Sequence, residues 1–211
     1  MKEIIKINSD NLRHGSLKLR SNLNLIISAL QNNGNSLKYV PYSLKENENN
    51  YYLNIMAINN NPDAIKYSCY RTRCDKNLVL SCLYNSFSPK DIYNNLPFHL
   101  KEDMQIIKII LNYYGNYYLN LPFKIKKKRK VILTALRNPL MYSHIPKGFQ
   151  NDKGIINLVL KKDYKIISNF SDKFINDNEI LKKAIDISIF SINHFSKRDD
   201  EINKKIISKA L

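Results

Sequence analysis

Seven residues near the middle of the chain, Lys124-Ile125-Lys126-Lys127-Lys128-Arg129-Lys130, form its densest run of like charge. Such a run can neutralise phosphates on a nucleic acid, act as a nuclear-import-like signal, or simply be a solvated turn. Lys128 opens an apolar helical pattern at a place where the helix dipole favours an acid. An anion bound there would relieve the mismatch. A second concentration follows aromatic chemistry: Tyr113, Tyr114, Tyr117 and Tyr118 flank Gly115. These rings could stack on bases or anchor a protein partner, or they could be core residues like Tyr39, Tyr67 and Tyr93.

Catalytic chemistry is not signalled. His14, His99, His144 and His194 are scattered, with no pair at i, i+3 or i, i+4. There is no phosphate-cradling Gly-rich loop and no Gly-x-Ser-x-Gly. Cys69, Cys74 and Cys82 are odd in number and lack Cys-x-x-Cys spacing, so they read as reduced thiols, with Cys82 a small core residue. No catalytic residue, cofactor or metal site is expected, and the chain reads as a non-enzyme.

The elements that would position these residues are copies of one stretch, Asn22 to Ser43. Asn22 is a helix N-cap, and Leu25, Ile26, Ala29 and Leu30 mark one face of a 3.6-residue period. Asn33 or Gly34 ends that helix in a left-handed cap, and a second short helix carries Leu37, Tyr39 and Val40 up to Pro41. The apolar triplet at offsets +3, +7 and +8 recurs after residues 50, 75, 103, 128, 152, 177 and 199. Those caps are 22 to 28 residues apart. The second helix ends at Val40-Pro41, Leu121-Pro122, Ile145-Pro146, Phe170-Ser171 and Phe195-Ser196, and at Leu96-Pro97 with three residues inserted. Proline cannot continue a hydrogen-bonded helix, so it punctuates the repeat.

These copies predict an all-α fold: a right-handed α-solenoid-like array of about eight degenerate two-helix repeats. Residues 1–211 form one domain, with 1–21 as an N-terminal half repeat, 22–198 as seven repeats and 199–211 as a terminal half repeat. That half repeat either packs back as a cap or leaves Ile206 and Ile207 as an apolar edge for a partner. Two residues before the caps stand Arg20, Arg73, Lys101, Lys126 and Lys197, interrupted by Glu48, Gln150 and Ile175. Stacked repeats would align the cations as a basic ladder.

The net charge of +16 suggests anionic partners. Yet 27 of the 34 basic residues are Lys, among abundant Asn, Ile and Tyr, which an AT-rich coding sequence produces without selection for binding. No stretch has the length of a membrane span, and the first residues lack a signal-peptide core, so an intracellular, cytoplasmic protein without membrane insertion is expected.

Written as cap-x-x-apolar-apolar-x-x-Ala-Leu-x-x-Asn-Gly-x-x-Leu-x-Tyr-Val/Ala, the repeat resembles a family of tandem helical repeats of unknown function found in intracellular bacteria, protists and large DNA viruses of such hosts. Asn22 to Val40 carries the match, and Leu100-Lys101-Glu102-Asp103 matches the family's linker. Gly34 has no counterpart in most repeats, and prolines replace the expected alanine in several. The resemblance implies an all-α array and transfers no catalytic residue. The functional expectation is a scaffold for a protein partner, including a host-interaction or viral protein. The alternative is nucleic-acid binding through the basic ladder and Lys124–Lys130.

Overall fold

The computed structural model describes residues 8–191, and every regular element among them is helical. The chain divides into two compact bodies, Met1–Tyr113 and Tyr114–Leu211. The first helices of the repeats are α1 (Leu23–Asn32), α2 (Tyr51–Asn60), α3 (Lys76–Asn85) and α4 (Met104–Tyr113) in the N-terminal body. In the C-terminal body they are α5 (Arg129–Ala135), α6 (Lys153–Leu160) and α7 (Asn178–Ile187).

These helices start where the spacing predicts. The side chains of Asn22, Asp75 and Asp152 each accept a hydrogen bond from the backbone N–H three residues on, and Asp103 and Asp177 accept two. Each satisfies a donor that the helix leaves orphaned. The triplets at +3, +7 and +8 point inward, and of the seven within the described residues only Leu78 is less than buried. The triplet Ile202, Ile206 and Ile207 lies outside the described residues.

The second half of the repeat differs from the two-helix expectation. A six-residue 3-10 helix follows most of the long helices: Gly34–Tyr39, Pro62–Tyr67, Gly115–Asn120, Pro139–His144 and Tyr164–Asn169. In the third repeat an α-helix, Pro89–Asn94, takes its place. A third, short α-helix then begins directly after Pro41, Pro97, Pro122 and Pro146, or after Cys69 and Ser171 in the other repeats. The prolines therefore join helices within a repeat. Proline stops the 3-10 helix because it lacks an N–H, yet its fixed φ leads readily into a new first turn. Residues 9–20 show the same succession, a 3-10 helix at Ser9–His14 and a short helix at Leu17–Arg20.

The Asn-rich turns have a different purpose from the one their composition predicts. No described residue has a positive φ, so neither Asn33 nor Gly34 forms a left-handed cap. Asn33, Asn61, Asn138 and Asp163 are extended, and each caps the 3-10 helix by accepting from the N–H two residues on. Gly34 is required by crowding: a Cβ there would fall 2.1 Å from the carbonyl oxygen of Ala57 in α2.

Candidate interaction surfaces

The cationic column is best understood from the short helix that carries it. Its donor is the fourth residue after the Pro or its substitute. This register gives Arg20, Lys45, Arg73, Lys101, Lys126, Gln150 and Ile175. Counting back from the caps places Glu48 here, but Glu48–Asn50 forms an additional 3-10 turn and the true equivalent is Lys45. The side chains mostly serve the fold. Lys101 Nζ donates to Asn94 O at 2.6 Å, Lys126 Nζ to Leu119 O at 2.5 Å and Arg73 to Ser68 O at 2.5 Å. Gln150, without charge, makes the same bond to Ser143 O. These are the orphan carbonyls that end the preceding helix. Lys197 lies outside the described residues.

Lys45 is the extreme case. It is 7% exposed, donating to Tyr67 O of the next repeat at 2.8 Å and to Leu37 O at 3.5 Å. Burial, reinforced by Arg73, pulls its ammonium below the usual lysine range. Beside it Asn54, fully buried, donates to Lys45 O at 2.9 Å and accepts from Cys69 N–H at 3.0 Å. Sequence reasoning missed both, because an Asn among apolar neighbours gives no sign of being a bridge between repeats.

Within Lys124–Lys130 the structure separates two groups. Lys126 is held by Leu119 O, and Arg129 pairs with Asp152 at 2.6 Å. Lys124, Lys127, Lys128 and Lys130 are exposed, with no acidic partner among the described residues. Lys128 forms no capping hydrogen bond. Ile125 and Val131, both fully buried, anchor the two helices that carry the run.

The four tyrosines also divide. Tyr117 and Tyr118 are 7% and 0% exposed, so as partner contacts they are withdrawn. The Tyr118 hydroxyl donates to Lys126 O, eight residues on, as Tyr93 does to Lys101 O and Tyr142 to Gln150 O. This recurring bond holds the short helix on the core, and burial pushes the phenols of Tyr118 and Tyr142 up to about 12. Tyr113 and Tyr114 remain exposed. Tyr113, with Leu80, Tyr84 and Lys108, lines a groove of about 490 Å³ between α3 and α4. A groove of about 330 Å³ lies at the same register between α6 and α7, where Lys161 and Ile187 stand in the places of Tyr84 and Tyr113. Ile206 and Ile207 lie outside the described residues.

A further column escaped the sequence reading. The first residue of the short helix is Leu17, Tyr42, Tyr70 and Phe98 in the N-terminal body, exposed by 64%, 55%, 53% and 69%. Two neighbours in this column, Tyr42 and Tyr70, are tied through Glu46. The Tyr42 hydroxyl donates to the Glu46 carboxylate, which also accepts from Tyr70 N–H at 2.8 Å. These bonds hold the Glu46 carboxyl below the usual range. In the C-terminal body the same position reads Phe123, Lys147, Asp172. The signal was present in the sequence as the residue after each Pro or Ser terminator, but a terminator taken for the end of a repeat conceals the helix that begins behind it, and Cys69, which precedes Tyr70, carries no such mark.

Among the described residues no three His, Cys, Asp or Glu side chains converge as metal ligands, and no helix is long and apolar enough to cross a membrane. Cys69 hydrogen-bonds Thr72, and burial, then Asp63, pushes the Cys82 thiol up to about 12.

These features define an all-α protein built from recurring short helices. A family model described as a domain of unknown function (DUF4116) matches residues 1–45, a stretch that includes Asn22 to Val40. No curated protein and no solved structure matches the chain.

Proposed function

We propose that this chain is a non-enzymatic helical-repeat scaffold that holds a protein partner along the exposed apolar edge of its N-terminal body. The observation that carries this reading is the column Leu17, Tyr42, Tyr70 and Phe98: four successive large apolar side chains, each more than half exposed, at one repeat position. Large exposed rings on a rigid backbone are the usual anchors of protein interfaces, since they bury area while losing little rotamer freedom. The local charge supports a protein rather than a polyanion. Residues 8–113 hold twelve Lys and Arg against eight Asp and Glu. Helical repeats bury their cores against their neighbours and present extended surfaces, which suits this role.

The test is affinity capture from the native cell at physiological salt, using the full chain and the triple variant Tyr42→Ser, Tyr70→Ser, Phe98→Ser. A stoichiometric protein is expected with the full chain, weakened at least tenfold by the triple variant and unaffected by Lys124→Gln with Lys128→Gln. A partner that survives the triple variant, or no partner at all, overturns the reading.

A further inference from the structure

A solvent-facing ring and unpaired cations stand together at the start of the C-terminal body. Phe123 is 71% exposed, with Lys127 Nζ 4.1 Å from its ring centroid. Lys124 follows it, and Lys128 and Lys130 lie just beyond on the next turn and helix. Buried Ile125 and Val131 fix this stretch from below, so the four lysines project from an anchored surface. The surroundings add to the field. Residues 114–191 hold fifteen Lys and Arg against six Asp and Glu. Asp152, the acid that pairs with Arg129 of the same run, is already neutralised by it.

We infer that this patch binds single-stranded nucleic acid, with one base stacked on Phe123 and the flanking phosphates neutralised by Lys124, Lys127, Lys128 and Lys130. Charge complementarity selects a polyanion. The ring selects unpaired bases, because in a duplex the base faces are already stacked on one another and only phosphates and groove edges are offered. An acidic peptide would satisfy the lysines but brings no regular planar group to the ring. Lysine in place of arginine is suited to point contacts with phosphates and not to bidentate reading of base edges, so binding is tolerant of sequence. The ammonium of Lys127 now covers the ring; a base taking that face displaces it towards the adjacent phosphate. This site is separate from the apolar edge proposed above and stands or falls without it.

The experiment is fluorescence anisotropy of the full chain with labelled oligo(dT), a duplex of equal length and labelled poly-glutamate, over a series of salt concentrations. Oligo(dT) is expected to bind with a log–log salt slope of about −3, since four phosphate contacts on a single strand release about 0.7 counterions each. Lys124→Gln with Lys128→Gln should roughly halve that slope. Phe123→Ala should weaken binding about tenfold without changing the slope, and Phe123→Tyr should restore it. Phe123 and both lysines are exposed, so unchanged thermal midpoints are expected to show that the variants fold. An unchanged slope in the double variant places the site elsewhere. Equal affinity for the duplex, together with no effect of Phe123→Ala, overturns the stacked base. Tighter binding of poly-glutamate than of oligo(dT) overturns the nucleic acid in favour of an acidic polypeptide.

Discussion

Ion pairs join neighbouring repeats in both bodies, and the N-terminal body adds buried polar groups to them. In the N-terminal body, Asn54 and Lys45 bridge repeats from inside the core, and at the surface the exposed Asn60 donates to Gln31 O while accepting from Gly34 N–H. In the C-terminal body, the residue after one cap pairs with the next cap: Arg129 with Asp152 at 2.6 Å and Lys153 with Asp177 at 3.2 Å. Lys76 and Asp103 form the equivalent pair at 2.7 Å in the N-terminal body. A buried bond is costly to leave unmade and tolerates one geometry; an exposed pair is weak and screened. The body with the less forgiving joints is the one that presents four apolar residues in a column. A surface whose spacing is fixed before binding loses less entropy when a partner docks.

The sharpest way to break this contrast is Gly34→Ala. The new Cβ would press on the carbonyl of Ala57 and on the backbone nitrogen of Asn61, at 2.1 and 3.1 Å, and neither can rotate away. The first two repeats would have to part, at a cost of about 3 kcal/mol in chemical denaturation. The same change at Gly115 meets only the Asn138 side chain at 3.3 Å and should cost under about 1 kcal/mol. Equal losses at the two glycines would mean that the N-terminal joint yields as easily as the other.

How much the sequence made legible depends on which interactions leave a periodic trace. Caps and core triplets recur at fixed offsets, so α1 to α7 were visible, including the burial of Cys82 in the place of an alanine. The third helix of each repeat was not, because four residues are too few to display a period and its opening proline looks like an end. Gly34 suggested a backbone angle when it records a close approach, a fact that belongs to the neighbouring repeat. The basic ladder was placed by counting back from the caps, and the inserted turn at Glu48–Asn50 shifted the count by three, concealing Lys45. For the candidate surfaces the limit is exposure. Tyr113 and Tyr118 are alike in sequence, yet one faces solvent and the other bonds Lys126 O from within the core.

A smaller effect sharpens the account of the C-terminal joints. The bond from Arg129, more than the opposing burial, holds the Asp152 carboxyl below its ordinary value, with backbone N–H groups assisting. The unfolded chain therefore takes up that proton at a higher pH than the folded one. The stabilisation is fully present above the unfolded carboxylate value, about 3.9, and is lost as pH falls through the lower folded value. Asp152→Asn keeps an oxygen to cap α6 and removes only the charge. It should lower the Tm by about 2 °C at neutral pH and low salt, by nothing measurable near 1 M salt, and by progressively less as pH falls through the folded carboxyl's lowered value. A deficit that persists in high salt would assign the loss to the cap and not to the pair.

The smallest expected change is a gain. A Cβ on Gly148 would meet nothing within 4 Å, and its φ is not positive, so alanine fits the existing helix Lys147–Gln150. Gly148→Ala should raise stability by about 0.5 kcal/mol, chiefly by restricting the unfolded chain. Two residues on, Gln150 holds Ser143 O and Ile145 O and its own carbonyl receives the Tyr142 hydroxyl. If those bonds hold the short helix rigidly on the core, the gain should reach its full value and amide exchange in 147–150 should slow. If the gain is absent, the helix opens independently of the core, and the recurring tyrosine bond is then too weak to set where the first residue of each short helix stands. That outcome would count against the apolar column as well, since Phe98 is placed by the same bond from Tyr93 to Lys101 O.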